Sequence, residues 1–167
     1  MALVSTSQEV TDQSAVPPVK VSTIKKGGKV RTARGFLLAA NFTGGTTAQW
    51  YTFARVPARA RVMGVYLTNA TSSSGAVKFG LYRPDGIAIS DAVFSAITVL
   101  GAANNRAKID TVQTAAIRRD DLATAYATAV GTASATSDVE YDIAAAIVTV
   151  IGTPVDALVE VDYILPE

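Results

Sequence analysis

The chain of 167 residues contains no cysteine and no histidine. Without cysteine it can form neither a disulfide framework nor a thiolate metal site. Without histidine it lacks the commonest general base, the commonest metal ligand and the side chain that titrates near neutral pH. These two absences predict a protein that is not an enzyme and that holds no cofactor.

The usual sequence signals for catalysis, nucleotide binding and targeting are missing as well. No glycine-rich phosphate loop and no G-x-S-x-G motif occurs, and Ser22 to Lys25 matches S-x-x-K without the S-D-N or K-T-G partners of that motif. No run of about 18 apolar residues is present, and the opening MALVSTSQEV has no basic region followed by an apolar one. We therefore expect neither a membrane span nor a signal peptide.

Aromatic residues are sparse, whereas small and β-branched residues are abundant. Phe, Trp and Tyr make up 7% of the chain, and Ala, Thr and Val fill 68 of its 167 positions. This composition suits thin β-layers built from small side chains rather than a deep ligand pocket.

Charge is distributed very unevenly along the chain. Residues 13–84 contain eleven Lys or Arg and no acid, whereas residues 85–167 contain twelve acids and four bases. With Glu9 and Asp12 included, the first half carries +9 (11 − 2) and the second −8 (4 − 12), which gives the net +1. Complementary patches on one protein steer association and fix its register. The split therefore points to assembly rather than to catalysis.

Strand-like patterns follow one another after Gly35. FLLAANF and AQWYTFARV flank Gly44–Thr47, which predicts a hairpin, and RVMGVYL and VKFGLY follow as further strands. Arg83–Gly86 (RPDG) predicts a turn, because proline presets φ and glycine tolerates a positive φ. Two later segments, SDAVFSAITVLG and DDLATAYATAVG, have helical spacing of apolar residues, although the first is β-branched enough to be a strand.

The last thirty residues show the clearest alternation of apolar and polar side chains. DVEYDIAAAIVTVI and DALVEVDYIL alternate with a period of two on either side of Gly152–Pro154, which predicts a β-hairpin with one buried and one acidic face. Taken together, the patterns predict a mainly β fold: an antiparallel β-sandwich, jelly-roll-like, with one or two short helices. Residues 1–34 are expected to form an extended basic N-terminal arm, and residues 35–167 the sandwich.

One long stretch resembles a known class of proteins. RVPARARVMGVYLTNATSSSGAVKFGLYRPDGIAISDAVFSAITVLGA, followed by the closing DVEYDIAAAIVTV and DALVEVDYILPE, is similar to small structural proteins of tailed bacteriophages over residues 36–165. Such proteins are typically capsid decoration (cement) or other auxiliary virion proteins. They are β-rich, non-enzymatic and often oligomeric, and they bind the outer capsid lattice through an extended terminal arm.

The resemblance implies a set of partners and contacts. The chain would be made in the host cytoplasm, form a trimer or a dimer, and bind the major capsid protein lattice at the capsid surface of the virion. The contact residues would be the arm bases Lys20, Lys25, Lys26, Lys29, Arg31 and Arg34, with a complementary surface of Asp138, Glu140, Asp142, Glu160 and Asp162.

Other functions stay open at this point. A small jelly-roll coat protein could face nucleic acid with its basic arm, since Lys and Arg neutralise phosphates without reading sequence. The stretch from Val19 to Gly35 contains no aromatic residue for base stacking, which argues against that alternative. A carbohydrate-binding or adhesin-like module is a third alternative, although Trp50 is the only tryptophan. The acidic strands could be a solvated face or hold Ca²⁺.

Overall fold

In the computed structural model, the chain is described for residues 29–42, 49–70, 73–110, 122 and 140–165. Eight strands lie in these ranges: β1 (Val30–Leu37), β2 (Trp50–Pro57), β3 (Arg61–Asn69), β4 (Ala76–Tyr82), β5 (Ala88–Val99), β6 (Asn104–Lys108), β7 (Glu140–Thr149) and β8 (Ala157–Ile164). They form two antiparallel four-stranded sheets: the first sheet has the order β1-β8-β3-β6 and the second β2-β7-β4-β5.

Successive strands alternate between the two sheets, except for β4 and β5, which are neighbours in the second sheet. Two four-stranded antiparallel sheets connected in this way form a jelly roll, in which two Greek keys wind into a sandwich. The prediction of a mainly β, jelly-roll-like sandwich is confirmed. The winding also inserts β8 between β1 and β3, and β7 between β2 and β4, so that strands of the acidic half lie between strands of the basic half.

The core lies between the inner faces of the two sheets. Val77, Phe79 and Leu81 of β4 are fully buried, and Val159 and Val161 of β8 line the same core from the other sheet. Alternate residues of a strand point to opposite faces of its sheet, so these positions form one continuous apolar layer.

The two sheets approach each other closely where β1 passes β2. A Cβ atom built on Gly35 would lie 1.6 Å from the carbonyl oxygen of Phe53. The pairing of β2 with β7 shifts register between Thr52 and Ala54, which marks a bulge at Phe53. Only glycine leaves room for this backbone, so Gly35 fixes the junction between β1 and β2.

The predicted turn after β4 is confirmed. The N–H of Gly86 donates to the carbonyl of Arg83 at 2.9 Å, and the N–H of Arg83 donates to the carbonyl of Ile87 at 2.9 Å. Gly86 has a φ of +87°, which a residue with a Cβ rarely adopts. The turn joins β4 to β5 as the one direct hairpin among the described strands.

Both hairpins predicted elsewhere are wrong, because the strands they were to join lie in different sheets. β1 and β2 do not pair across Gly44–Thr47, which itself lies outside the described residues, and β7 and β8 do not pair across Gly152–Pro154. Alternation indicates which face of a strand is buried, but it does not identify the neighbouring strand. The two acidic runs therefore lie on different sheets rather than on one paired face.

The segment SDAVFSAITVLG is not a helix but most of β5. Its pairing with β4 shifts from Leu81 opposite Ser90 to Phe79 opposite Ser95, which is two steps along β4 against five along β5. This bulge places Val93 and Phe94 in the core one after the other. The bulge interrupts the alternation, and the remaining apolar spacing imitates a helix.

Two further predictions concern residues that the structure does not describe. The second predicted helix, DDLATAYATAVG, lies outside the described residues except for Leu122, which is buried and donates its N–H to the carbonyl of Ala60 at 3.0 Å. The predicted arm lies outside them up to residue 28. Its proposed boundary at residue 34 falls within β1, so residues 30–34 belong to a strand of the first sheet.

Candidate interaction surfaces

Bases of the first half of the chain meet acids of the second half across neighbouring strands. Arg34 of β1 lies opposite Glu160 of β8, with 2.9 Å between Nε and Oε1. Arg55 of β2 lies opposite Asp142 of β7, with 2.6 Å from Nε to Oδ1 and 3.1 Å from Nη2 to Oδ2. The jelly-roll winding thus brings the two halves together within one subunit.

On the outer face of the first sheet these contacts extend into a network around Arg106 of β6. Its Nε lies 3.0 Å from Glu160 Oε2, and its Nη2 lies 3.1 Å from Asp162 Oδ2. The guanidinium stands 4.0 Å above the centroid of the Tyr66 ring, a cation–π geometry. Thr32 donates its hydroxyl to Asp162 Oδ1 at 2.7 Å. We call Thr32, Arg34, Tyr66, Arg106, Glu160 and Asp162 the ion-pair cluster.

The backbone of Arg106 is held in an unusual conformation. Its φ of +53° is the only positive value for a non-glycine residue among the described residues. Its N–H donates to Thr68 Oγ1 at 2.9 Å, next to a shift of register between Leu67 and Asn69. Such a conformation persists where the surroundings determine it strongly, and here it aims the guanidinium at two carboxylates. Desolvation lowers the pKa of Arg106, but its hydrogen bonds to Glu160 and Asp162 outweigh that effect. The pKa of Arg106 is therefore raised overall, and the group stays charged.

A second group of ion pairs lies on the outer face of the second sheet. The Asp142 side chain is only 3% exposed, and its hydrogen bonds with Arg55 raise the pKa of that guanidinium. Glu140, on the same strand, is 3.9 Å from Arg55 Nε and half exposed. Lys78 forms an ion pair with Asp91 in the bulge of β5. Asp142 is therefore a buried anchor and Glu140 a peripheral one.

These contacts locate the acidic residues predicted to form a partner surface. Glu140, Asp142, Glu160 and Asp162 all pair with arginines of the same chain, whereas Asp138 lies outside the described residues. The sequence pattern identified them as acidic faces but missed their partners Arg55 and Arg106. A hint was present for Arg106, because it is one of only four bases in the acidic half.

Four bases have no ion pair within the described residues, and they gather at one end of the first sheet. Val30 of β1 and Arg61 of β3 both lie opposite Ile164 of β8, so the starts of β1 and β3 are close together. Arg61 is 9% exposed, and its Nε has no hydrogen-bond partner among the described residues. We call this group the basic end; its members are Lys29, Arg31, Arg59 and Arg61.

The predicted arm contacts divide accordingly. Lys29 and Arg31 are exposed at the basic end, whereas Arg34 is engaged by Glu160. Lys20, Lys25 and Lys26 lie outside the described residues and precede the basic end in the chain. Of the six predicted basic contacts, the described part of the chain therefore leaves Lys29 and Arg31 available to a partner.

The opposite end of the sandwich carries almost no charge. Residues 35–54, 62–77, 92–105 and 143–155 contain no Asp, Glu, Lys or Arg, and each of these segments connects strands at this end. Six of the ten large apolar side chains that the described residues expose lie here. We call them the apolar end: Phe36, Leu38, Ile97, Val99, Val148 and Val150.

Backbone hydrogen bonds tie the connections of the apolar end to one another. The N–H of Ser73 donates to the carbonyl of Leu100 at 2.7 Å, and the N–H of Leu100 donates to that of Gly75 at 3.0 Å. Asp156, an acid beside these segments, accepts the N–H of Ala39 at 2.7 Å. These hydrogen bonds link the β3–β4 connection to the β5–β6 connection, and the β1–β2 connection to the β7–β8 connection.

Two structural features are absent from the described residues. None of the described helical residues forms a helix long and apolar enough to span a membrane. No group of three or more acidic side chains in the described ranges is arranged to hold a metal ion.

No protein-family model matches the chain, and no curated protein does. Among solved structures, the chain is similar to a chain of the capsid asymmetric unit of cyanophage Pam1, with 18% identity and a TM-score of 0.50 over 84% of this chain and 87% of that one. The two chains share their fold. A chain of the acid-stable capsid of Helicobacter pylori bacteriophage KHP30 matches with 14% identity and a TM-score of 0.43 over 83% and 89% of the two chains.

Proposed function

We propose that the protein is a non-enzymatic structural component of a tailed-phage virion, where it binds and stabilises the capsid lattice as a decoration protein. The observation that carries this proposal is the shared fold with a chain of a phage capsid over 84% of this chain and 87% of that one. The arrangement of the surface supports it, because the ion pairs between the sequence halves lie on the faces of the sheets, whereas one end presents basic residues and the other exposed apolar side chains to other proteins.

The distribution of ion pairs favours a protein lattice over nucleic acid as the partner. A coat protein that lines packaged nucleic acid needs a broad surface of Lys and Arg side chains that are free of ion pairs and can neutralise phosphates. Here Arg34, Arg55 and Arg106 are engaged by carboxylates of the same chain, and the unpaired bases of the described residues are confined to the basic end. The remaining bases suit a local contact with an acidic protein surface.

The two ends would contribute differently to lattice binding. Lys29 and Arg31, together with the arm residues Lys20, Lys25 and Lys26, would steer the subunit to an acidic surface and set its orientation. The apolar end would contribute burial of apolar area, which is the dominant favourable term in most protein association. Binding would therefore weaken with salt without being abolished by it.

A carbohydrate-binding role has less support from the structure. Trp50 stacks on Tyr82 with 5.4 Å between ring centroids and 9° between planes. One face of the only tryptophan is therefore covered by another ring. An aromatic platform for a sugar would need that face or further exposed rings beside it.

The test is co-sedimentation of the full-length protein with purified capsids of the phage that encodes it, from which the protein has been stripped. We expect saturable binding at physiological salt. The triple variant Lys25→Glu, Lys26→Glu, Lys29→Glu should associate more slowly, and the matched Lys→Arg triple variant should behave as the wild type. Absence of capsid binding, together with duplex DNA binding that falls steeply with salt, would favour the coat-protein alternative.

A further inference from the structure

One arginine on the outer face of the first sheet differs from the others in its surroundings. Arg61 begins β3 and lies directly opposite Ile164 of β8. Residues that lie directly opposite each other on neighbouring strands share a face of the sheet. Ile164 lies on the same face as Glu160 and Asp162, because alternate residues of a strand point to the same side. Arg61 therefore lies on the face of the ion-pair cluster, next to it on the side of the basic end.

A bulge in β3 turns Arg61 towards this face. In an uninterrupted strand, Arg61 would share a face with Val65, and Val65 is fully buried in the core. The pairing of β3 with β8 shifts register between Val62 and Gly64, which reverses the alternation. Bulges re-aim side chains in this way, and here the bulge directs an arginine to the outer face.

The described charges of this face do not balance. The ion pairs on and beside it are Arg34–Glu160, Arg106–Glu160, Arg106–Asp162 and Lys108–Asp110. Every carboxylate in these pairs already has a base beside it. Arg61 forms no ion pair among the described residues, so the face has one guanidinium more than its described carboxylates engage.

Arg61 is also the arginine of this face that is most removed from water. The residue is 9% exposed, whereas the side chains of Arg34 and Arg106, which have carboxylates beside them, are 68% and 49% exposed. The Nε of Arg61 is buried and has no hydrogen-bond partner among the described residues. A guanidinium stays protonated, and a buried charge without an opposite charge is strongly destabilising. An anion that binds at Arg61 would offset this cost.

We propose that Arg61 is the anchor of an anion-binding site at the basic end, and that its ligand is a carboxylate from outside the subunit. A carboxylate carries the single negative charge that one guanidinium neutralises, and its two oxygens match the parallel N–H donors of the guanidinium. Arg59, in the connection before β3, is exposed and adds positive potential that attracts an anion. Because Arg61 has little contact with water, its hydrogen bonds to a carboxylate are stronger there than at an exposed arginine.

The carboxylate has two possible sources. An Asp or Glu side chain of the capsid lattice would enter the site, and Arg61 would then fix the orientation of the subunit on the lattice. This source rests on the proposed function, whereas the site itself follows from the burial of Arg61 and its lack of an ion pair among the described residues. A small free carboxylate is the alternative source, and capsid binding distinguishes the two.

The first test compares the melting temperature of the full-length protein in sodium formate and in sodium chloride at equal ionic strength. We expect a saturable rise with formate, because a ligand that binds the folded state stabilises it. Arg61→Met keeps much of the apolar stem but removes the charge. It should abolish the rise and should melt no lower than the wild type in chloride, since it removes an uncompensated buried charge. Arg83→Met is the matched control and should keep the rise, because Arg83 is exposed and already pairs with Asp85.

The second test observes the site directly. The Nε–H group of Arg61 gives a resonance in a nitrogen–proton NMR spectrum, and its loss in Arg61→Lys assigns it. Formate should shift this resonance saturably and leave that of Arg106, whose Nε is already bound to Glu160, in place. Absence of the formate-dependent rise or of this shift would overturn the proposal. So would a fall of more than about 5 °C in the melting temperature of Arg61→Met in chloride, since that loss means that Arg61 has a carboxylate partner within its own chain.

Co-sedimentation with purified capsids identifies the source of the carboxylate. If a capsid side chain enters the site, Arg61→Met should bind capsids about thirtyfold more weakly or worse, Arg83→Met should bind as the wild type, and formate should compete. Wild-type affinity of Arg61→Met for capsids, together with the loss of its formate response, would overturn the capsid source and assign the site to a small carboxylate. Failure of the wild type to bind capsids, with its formate response intact, would contradict the proposed function and leave the anion-binding site standing.

Discussion

The two ends of the sandwich differ in chemistry although the same strands connect them. β3 begins with Arg61 at the basic end and reaches Asn69 at the apolar end eight residues later, a distance of about 26 Å. The connections at the first end carry Arg59, Arg83 and Asp85, whereas those at the other run through four segments without charge. The ion pairs between the sequence halves lie on the sheet faces between the ends.

This difference changes the meaning of the charge split. The sequence alone suggests that the acidic second half forms a surface for a basic partner. In the fold, Arg34 contacts Glu160 and Arg55 contacts Asp142, so these carboxylates form ion pairs within the subunit. Under the proposed function, contacts with other proteins would involve the Lys and Arg residues that have no ion pair among the described residues, and the exposed apolar side chains.

The largest effect is expected where β1 and β2 meet, at the apolar end. Gly35→Ala would place a Cβ 1.6 Å from the Phe53 carbonyl oxygen, so the backbone of one strand must move. We expect a loss of about 3 kcal/mol or more in the free energy of unfolding, measured with urea. The control is Gly101→Ala, whose Cβ would lie 3.3 Å from a Val99 methyl carbon and should change stability by less than about 1 kcal/mol. Equal effects of the two substitutions would contradict the close approach of the sheets.

The next largest effect distinguishes the buried carboxylate of Asp142 from the more exposed carboxylate of Glu140, both of which pair with Arg55. Asp142→Asn keeps the shape of a side chain that is 3% exposed but turns an acceptor pair into an amide that cannot match the Arg55 donors. We expect the melting temperature to fall by about 5 °C. Glu140→Gln, at 3.9 Å and half exposed, should lower it by less than about 1 °C. A larger effect of the Glu140 substitution would show that Asp142 is not the anchor.

At the basic end we expect an effect on association and none on stability. Lys29→Glu with Arg31→Glu should leave the melting temperature within about 1 °C, since neither base has an ion pair among the described residues. The rate of association with capsids, followed by light scattering, should fall about tenfold because electrostatic steering is reversed. Lys29→Arg with Arg31→Lys is the charge-preserving control. A fall in stability without a change in rate would assign these bases to the fold.

The smallest effect concerns a ring stack on the outer face of the second sheet. Burial and, second, the Asp91 carboxylate raise the pKa of Tyr82 to about 12 from the ordinary 10.0. As pH rises, the Tyr82 phenol ionises at a lower pH in the unfolded chain than in the folded protein. The stability that the neutral Tyr82 phenol contributes is therefore complete below pH 10 and is lost as pH rises through 12. Trp50 stacks on Tyr82 and is the only tryptophan, so its fluorescence should be quenched with a midpoint near pH 12. A midpoint near pH 10 would mean that Tyr82 is exposed.

Local features of the fold could be predicted from the sequence, and long-range ones could not. The alternation in VKFGLY predicted the buried face of β4, and the chemistry of proline and glycine predicted the turn at Arg83–Gly86. The neighbours of β7 and β8 depend on connections that cross between the sheets, and no local pattern encodes those crossings. The bulge in β5 concealed the alternation of that strand. No single residue marks the bulge, because the residues that form it are ordinary strand formers.

In the candidate surfaces, too, the local features could be predicted from the sequence and the long-range contacts could not. The acidic faces containing Asp142, Glu160 and Asp162 could be predicted from alternation, because the sequence places acidic residues at every second position of these strands. Their partners did not, since Arg34 and Glu160 are joined only by the pairing of the first strand with the last. The apolar end was also missed, because its four uncharged segments are separated in the sequence and only the winding collects them at one end.

A double-substitution cycle on Arg55 and Asp142 tests most directly whether the acidic half is satisfied within the subunit. The free energy of unfolding in urea would be measured for the wild type, Arg55→Gln, Asp142→Asn and the double variant. Internal pairing predicts that the double variant loses clearly less stability than the sum of the two single losses, because either single substitution already removes the pair. Strictly additive losses would mean that the two side chains do not interact, which would contradict pairing of the acidic half within the subunit.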